Sequence, residues 1–439
     1  MTLLVISPDY ASHLFPLATL GTAWRSRGER VVVASGPATA GIVADFGFER
    51  VNLQLGRGSN PGTIRAEDQP TGEDDSLRGF FDATRRGAVE TLAFQARARG
   101  DDLLWDPVTV ARDVQRIARQ VCPDHVIVDH LAFSARLALL ASGVRHADVV
   151  LGHPSALTVA GEVYGYPPAF PHAIAADPTA LAALHGLCVG VRDTFTRQWN
   201  AALATLAPGS PESDDAFAET GDLVLLNYPA ELHDPDRTAL LPTHEFLGSA
   251  VRTERRDEEV EAWLERSDEP VVYVSLGSFL SVRSDVLVTV GRALRGLGVR
   301  VALANGSTPR EELATALGGL PDSWLVRETL PQVRLLEHAS LAVSHGGNNS
   351  VTEALRASVP LLLLPLSTDQ FAGAAALEDA DLAEVLDPNA ITPEAVTEAA
   401  GRLLDLGGAP RQRLDHLGAS LRRTPGARRA HTTMTGRSV

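Results

Sequence analysis

Lysine is missing altogether. All 39 basic residues of the 439-residue chain are arginine, so a P-loop lysine, a lysine Schiff base and any catalytic lysine are excluded. Cysteine is nearly missing too. Cys122 and Cys188 are the only two; they cannot build a disulfide framework, and they lack metal-site spacing. Positive charge is in deficit: 55 acidic residues leave a net charge of −16, which argues against non-specific binding to nucleic acid or to an anionic membrane. Long apolar runs are lacking. The densest, Val359–Leu366, is too short to span a bilayer. The N-terminus, Met1–Asp9, has no basic leader region and no small-residue cleavage site. A soluble, cytoplasmic protein with no integral membrane segment and no nucleic-acid partner is expected.

What is present is ordinary globular material, 44% hydrophobic and 21% charged, in a length that suits two or three domains. Short β-rich runs alternate with helical patterns. Leu3–Ser7 reads as a strand and Pro16–Arg27 as a helix, with Pro16 suited to a first helical position. Arg30–Ala34 and His125–Asp129 are further strands. The pattern restarts with strands at Val271–Ser275, Arg300–Ala304, Leu341–Ser344 and Leu361–Pro365. Such alternation predicts an α/β protein with two doubly wound halves. The expected boundaries are a first domain over 1–240, a linker over 241–268 that includes the charge-rich Arg252–Asp268, with the composition of a linker followed by a short helix, a second domain over 269–422 and a polar tail over 423–439. Gly56–Ser76 has the composition of a mobile loop. Tyr164–His172, with three prolines, has that of a rigid one.

Parallel sheets bind ligands beyond the carboxyl ends of their strands. The first such turn, Ser7-Pro8-Asp9-Tyr10-Ala11-Ser12-His13, has no glycine, so backbone cannot approach a pyrophosphate there. It offers an imidazole, His13, instead. Glycines stand in the second half, in Ser344-His345-Gly346-Gly347-Asn348-Asn349-Ser350, between a strand and a helix. A diphosphate suits that helix N-terminus, and Glu353, one turn on, suits ribose hydroxyls. Ser350-Val351-Thr352-Glu353 also has the form of a capping box.

Together these features resemble the UDP-glycosyltransferase superfamily (family 1), in its bacterial natural-product branch. Ser12-His13-Leu14-Phe15-Pro16 and Arg27-Gly28-Glu29-Arg30-Val31 are similar to the family's opening motifs, and Pro123–Asp129 to its middle strand. Val271–Ser278 resembles the strand that opens its donor domain. Pro331-Gln332, His345-Gly346-Gly347-Asn348-Asn349-Ser350, Glu353 and Asp369-Gln370 follow its donor signature. The chain departs from it at Thr329-Leu330, where many relatives carry a base-stacking tryptophan, at Gly373 in place of asparagine, and at Ser12 in place of glycine.

The resemblance implies a GT-B fold, two Rossmann-like domains facing across a cleft, with an acceptor-binding first domain and a nucleotide-sugar-binding second one. It implies that His345, Gly346, Gly347, Asn349 and Ser350 hold a diphosphate, with Ser278 adding a contact. Gln332 belongs to the same donor set, Glu353 holds ribose, and Asp369 and Gln370 hold sugar hydroxyls. His13 is the expected general base, kept neutral by its helix N-terminus, and Asp129 its orienter; Asp129 also suits a helix cap. The expected activity is inverting, metal-independent transfer from a UDP or dTDP sugar to a hydroxyl of a small secondary metabolite. The nucleotide sugar is a co-substrate and no cofactor is expected. Asp234-Pro235-Asp236 and Asp379-Ala380-Asp381 match a metal-site pattern short enough to arise by chance. Acceptor candidates are Phe81, His153, Tyr164 and Tyr166, the phenylalanine suiting core packing better. A GT-B nucleotide-sugar epimerase and a non-catalytic helper of a partner transferase are the rival readings, and the chain is expected as a monomer or homodimer.

Overall fold

A computed structural model describes residues 1–436, with the side chains of all but 100–102. Seven parallel strands form the first sheet: β1 (Thr2–Ile6), β2 (Arg30–Ser35), β3 (Glu49–Asn52), β4 (His125–Asp129), β5 (Ala147–Val150), β6 (Leu223–Leu226) and β7 (His244–Phe246), in the order β3-β2-β1-β4-β5-β6-β7. β1 pairs with β2 from Thr2↔Arg30 and with β4 from Leu3↔His125. The second sheet holds β8 (Val271–Ser275), β9 (Arg300–Ala304), β10 (Leu325–Arg327), β11 (Ala339–Ser344), β12 (Leu361–Leu363) and β13 (Ala383–Val385), in the order β10-β9-β8-β11-β12-β13. Leu3, Leu4, Val5, Val272, Val274 and Val343 are wholly buried. Helices cover both faces of each sheet, which is why its inner strands are apolar rather than alternating.

Strand order reverses between β1 and β4 in one sheet and between β8 and β11 in the other. Each reversal opens a crevice at the carboxyl ends. Ser7–His13 and Asp129 leave the first crevice; Gly277 and His345 leave the second.

Several expectations are corrected. The first helix is Ala11–Arg25, so Pro16 lies in its interior and not at its start. The helix starts early because Asn60 reaches it from the supposed mobile loop: the Ala11 amide donates to the Asn60 carbonyl at 2.7 Å, and the Asn60 amide donates to the Asp9 carbonyl at 2.9 Å. Asn60 is wholly buried. The loop continues as a strap onto the second domain, where the Ile64 amide meets the Ser278 carbonyl at 3.1 Å and Arg65 pairs with Glu328 at 2.8 Å. The first sheet extends past residue 240 to include β7. Within Arg252–Asp268 the structure agrees with the expectation of a short helix: it is Glu258–Leu264, behind Asp257, whose carboxylate caps Val260 N at 3.2 Å.

The polar tail is helical over Gly426–Thr435 and returns to pack on Ala11–Arg25 of the first domain. Its His431 is wholly buried, 4.8 Å from the Trp24 ring. Residues 437–439 lie outside the described residues.

Candidate active site

The two crevices face each other across one cavity of about 780 Å³. On the first-domain wall, His13 stands in the opening turn of Ala11–Arg25 and Asp129 ends β4. Their side chains meet at 2.7 Å, Nδ1 to Oδ2, with Asp129 1% exposed and His13 25% exposed. Nε2 is therefore the imidazole nitrogen left for a ligand. The other Asp129 oxygen accepts the Leu131 amide at 2.8 Å. The following helix, Phe133–Ala141, starts behind Ala132, so Asp129 braces its own turn and orients His13 but does not cap that helix. Burial alone would depress the imidazole pKa. The Asp129 charge, its hydrogen bond and the more distant Asp369 outweigh burial and raise it above 6.5. This corrects the expectation that the helix N-terminus sets the balance.

On the opposite wall, helix Asn348–Arg356 starts behind Gly347. Its first internal bond runs from Val351 N to Gly347 O at 3.0 Å, so the N–H groups of Asn348, Asn349 and Ser350 have no acceptor in the helix and form an anion-binding end. Ser350 is thus the third helical residue and not a cap, which rules out the capping box. Its Oγ meets Gln332 Oε1 at 3.3 Å. His345 lies between two glycines: a Cβ on Gly277 would stand 2.6 Å from its Cε1, and one on Gly347 2.5 Å from its Nε2. Any side chain at either position would push the ring out. Burial takes the His345 pKa down to about 4, opposed by its bond to the Ser275 carbonyl, so the imidazole is neutral at pH 7.

Glu353 is 4% exposed, with Oε1 3.0 Å from Arg252 Nη1. Its Oε2 accepts Gln332 Nε2 at 2.5 Å. Arg252 also pairs with Glu254 and lies 4.8 Å over the Phe15 ring of the first domain. Burial raises the Glu353 pKa, and Arg252 and Gln332 counter it. A ribose hydroxyl would meet a carboxylate already fixed on both oxygens.

Other side chains of the second domain cross the cleft. Asn349 Nδ2 donates to the Ser12 carbonyl at 2.8 Å. That carbonyl is free because Pro16, four residues on, has no N–H to offer it. Asn348 Nδ2 donates to the carbonyls of Leu151 and Asn227, both at 2.8 Å. Asp369 accepts the His153 amide at 2.5 Å, and Ser278 Oγ accepts Asn60 Nδ2 at 3.2 Å. Gln370 folds onto its own turn, accepting Leu366 N and Ser367 N at 2.9 and 3.1 Å. The structure thus brings His345, Gly347, Asn349, Ser350, Gln332, Ser278, Asp369 and Gln370 to one cavity wall, with Gly346 and Glu353 directly behind.

Of the acceptor candidates, Tyr164 and Tyr166 line the cavity. Tyr164 is stacked on Phe217 at 4.0 Å. Phe81 and His153 do not line it. The cavity takes Phe80, from helix Glu73–Thr84, instead, while Phe81 is buried. His153 packs edge-on against Tyr228 at 4.9 Å, and burial, with Arg237 and His233 near, takes its pKa to about 3. Sequence reasoning missed Arg252, Asn60, Gln95 and His130. Only His130, adjacent to Asp129, carried a local signal. Asp234 caps helix Pro235–Thr238, and Asp381 pairs with Arg413 at 2.8 Å. Among the described residues no three His, Cys, Asp or Glu side chains gather as metal ligands, and no helix is long and apolar enough to cross a membrane.

Residues 188–406 match the family model described as UDP-glucoronosyl and UDP-glucosyl transferase. The chain is 30% identical over 224 residues to the oleandomycin glycosyltransferase of Streptomyces antibioticus, covering 51% of this chain and 50% of that one. It is 29% identical over 154 residues to NDP-glycosyltransferase YjiC of Bacillus subtilis, covering 35% and 38%. It thus spans half or less of the length of these curated relatives. In structure it is similar to the glycotransferase of kitacinnamycin, with a TM-score of 0.68 at 21% identity over 99% of this chain and 98% of that one. It is also similar to glycosyltransferase VinC in complex with DTDP, with a TM-score of 0.67 at 20% identity over 99% of both. The fold is GT-B.

Proposed function

We propose that this chain, which belongs to the UDP-glycosyltransferase superfamily, transfers a sugar from a UDP or dTDP donor to a hydroxyl of a small secondary-metabolite acceptor, without metal and with inversion. The observation that carries this reading is the pairing of His13 with Asp129 at 2.7 Å across one cavity from an anion-binding helix end. The donor diphosphate sits on the N–H groups of Asn348, Asn349 and Ser350, with His345 beside it and ribose on Glu353. The acceptor hydroxyl gives its proton to His13 Nε2 as its oxygen bonds to the anomeric carbon. The bond from that carbon to the diphosphate breaks, and its electron pair leaves with the nucleoside diphosphate. Asp129 balances the imidazolium. Attack opposite the leaving group inverts the anomeric centre. The relatives named as glycosyltransferases, and the DTDP held by one structural neighbour, support the donor class.

An acceptor cavity has no work in an epimerase, and an intact dyad has none in a helper. The test screens UDP and dTDP sugars against hydroxylated natural products in EDTA, read by mass spectrometry, with His13→Ala alongside. Glycoside formation is expected, with kcat for an alcohol about 10²–10⁴-fold lower in the variant and donor affinity near wild type. Conversion of donor alone into its epimer, a requirement for Mg²⁺ or Mn²⁺, or an unchanged kcat in His13→Ala would each refute part of the reading.

A further inference from the structure

One side chain on the first-domain wall has no structural work. His130 follows Asp129 at the end of β4 and is 2% exposed. Its backbone is fixed: its amide donates to the Val149 carbonyl at 3.0 Å, and its carbonyl accepts Arg136 Nη1 at 3.0 Å. Arg136 is itself held by a buried ion pair to Asp148 at 2.9 Å. The His130 ring touches Phe133 edge-on at 6.4 Å, yet among the described residues neither Nδ1 nor Nε2 has a hydrogen-bond partner. His130 is among the residues that line the cavity. A second orphan shares that cavity, since Gln95 Oε1 is also buried and unpartnered. Phe94, Leu131 and Tyr164 line the same cavity. Leaving a buried polar group unpaired costs stability, and two such groups on one ligand cavity mark a place where the ligand supplies the missing partners.

We propose that His130 is an acceptor-binding, specificity-determining residue: it takes an uncharged hydrogen-bonding group, a second hydroxyl or a carbonyl, next to the reacting hydroxyl on an otherwise apolar, ring-based acceptor, with Gln95 assisting. The inference rests on the transfer reading above. Burial and the nearby Arg136 hold the His130 pKa well below 6.5, so the ring presents one donor and one acceptor at pH 7. That is the complement of a hydroxyl or carbonyl and not of a carboxylate. His130 lines the same cavity as His13 and Asp129, so the recognised group and the reacting hydroxyl belong to one acceptor.

The test uses the full chain with UDP bound and two probes that differ by one neighbouring hydroxyl, 1,2-dihydroxyanthraquinone and 2-hydroxyanthraquinone. Binding is measured by calorimetry, so turnover is not needed. The wild type should bind the dihydroxy probe about 10-fold more tightly, the factor one hydrogen bond supplies. His130→Phe should bind both alike and melt no lower than wild type, because phenylalanine removes an unpaired polar group. A lower Tm in His130→Phe would show that the imidazole is structural and overturn the proposal. So would equal affinities in the wild type, failure of both probes to bind, or a preference that survives in the variant. A preference abolished by His130→Phe in a protein that forms no glycoside would instead overturn the transfer reading and leave the site standing.

Discussion

Pro16 and Asn349 lie in different domains, and the structure predicts that their substitutions are not additive. In helix Ala11–Arg25 the Ser12 carbonyl would ordinarily accept the N–H of residue 16, which proline lacks. Asn349 fills the gap from the second domain at 2.8 Å. Asn349→Ala therefore removes a hydrogen bond and leaves a half-buried carbonyl unpaired, at a cost of about 1–2 kcal/mol. Pro16→Ala supplies the missing N–H inside the helix. In that background the carbonyl no longer depends on Asn349, and Asn349→Ala should cost under about 0.5 kcal/mol. The coupling between the two sites is then about 1 kcal/mol, within the range seen for side chains sharing one partner. Urea unfolding of the four proteins, followed by tryptophan fluorescence, measures it. Any packing lost with the proline ring cancels in the cycle. Equal costs of Asn349→Ala in both backgrounds, to within about 0.3 kcal/mol, would refute the reasoning. UDP affinity in the same four proteins separates two roles of Asn349: a direct diphosphate contact lowers affinity equally in both backgrounds, whereas a clasp between domains lowers it only where Pro16 is intact.

The remaining predictions concern charge. The net upward shift of the His13 pKa means that the imidazole protonates, and loses its capacity to accept a proton, as pH falls through a value above 6.5. The acid limb of kcat/KM should therefore lie above 6.5 in the wild type and move down in Asp129→Asn; a limb that stays in place would remove Asp129 from the dyad. The stability supplied by the same pair has the opposite sense, being fully present below the unfolded pKa of about 6.5 and lost as pH rises through the raised folded value. Glu353→Ala should raise the KM for the donor sugar about 10-fold or more, since hydrogen bonds to a carboxylate are the stronger kind, with acceptor KM unchanged. An unchanged donor KM would take ribose away from Glu353.

Most of the fold was legible because it is written in local pattern. Apolar runs such as Leu3–Ile6 and Val271–Ser275 alternate with helical segments, and doubly wound sheets follow from that alone. The glycine-bearing wall of the cavity was legible for a related reason: strand, glycine pair and helix start lie within Ser344–Ser350, so its residues are contiguous in the chain. What sequence missed is what lies far apart in it. Asn60 reads as one more polar residue in a Gly-, Pro- and acid-rich loop, yet it starts one helix and touches Ser278 in the other domain. Pro16 reads as a first helical residue because proline is favoured there; its tolerance inside the helix depends on Asn349, 333 positions further along the chain. The tail after Arg423 reads as polar because only one face of Gly426–Thr435 is buried, and the surface that buries it is formed by residues 11–25. Of the acceptor candidates, Phe81 failed for a subtler reason. Phe80 and Phe81 are equivalent in composition, and helix phase puts the first on the cavity and buries the second. His130 differs from both, since the mark of its role is that, among the described residues, a buried imidazole has no hydrogen-bond partner, a property that exists only once the surrounding side chains are in place.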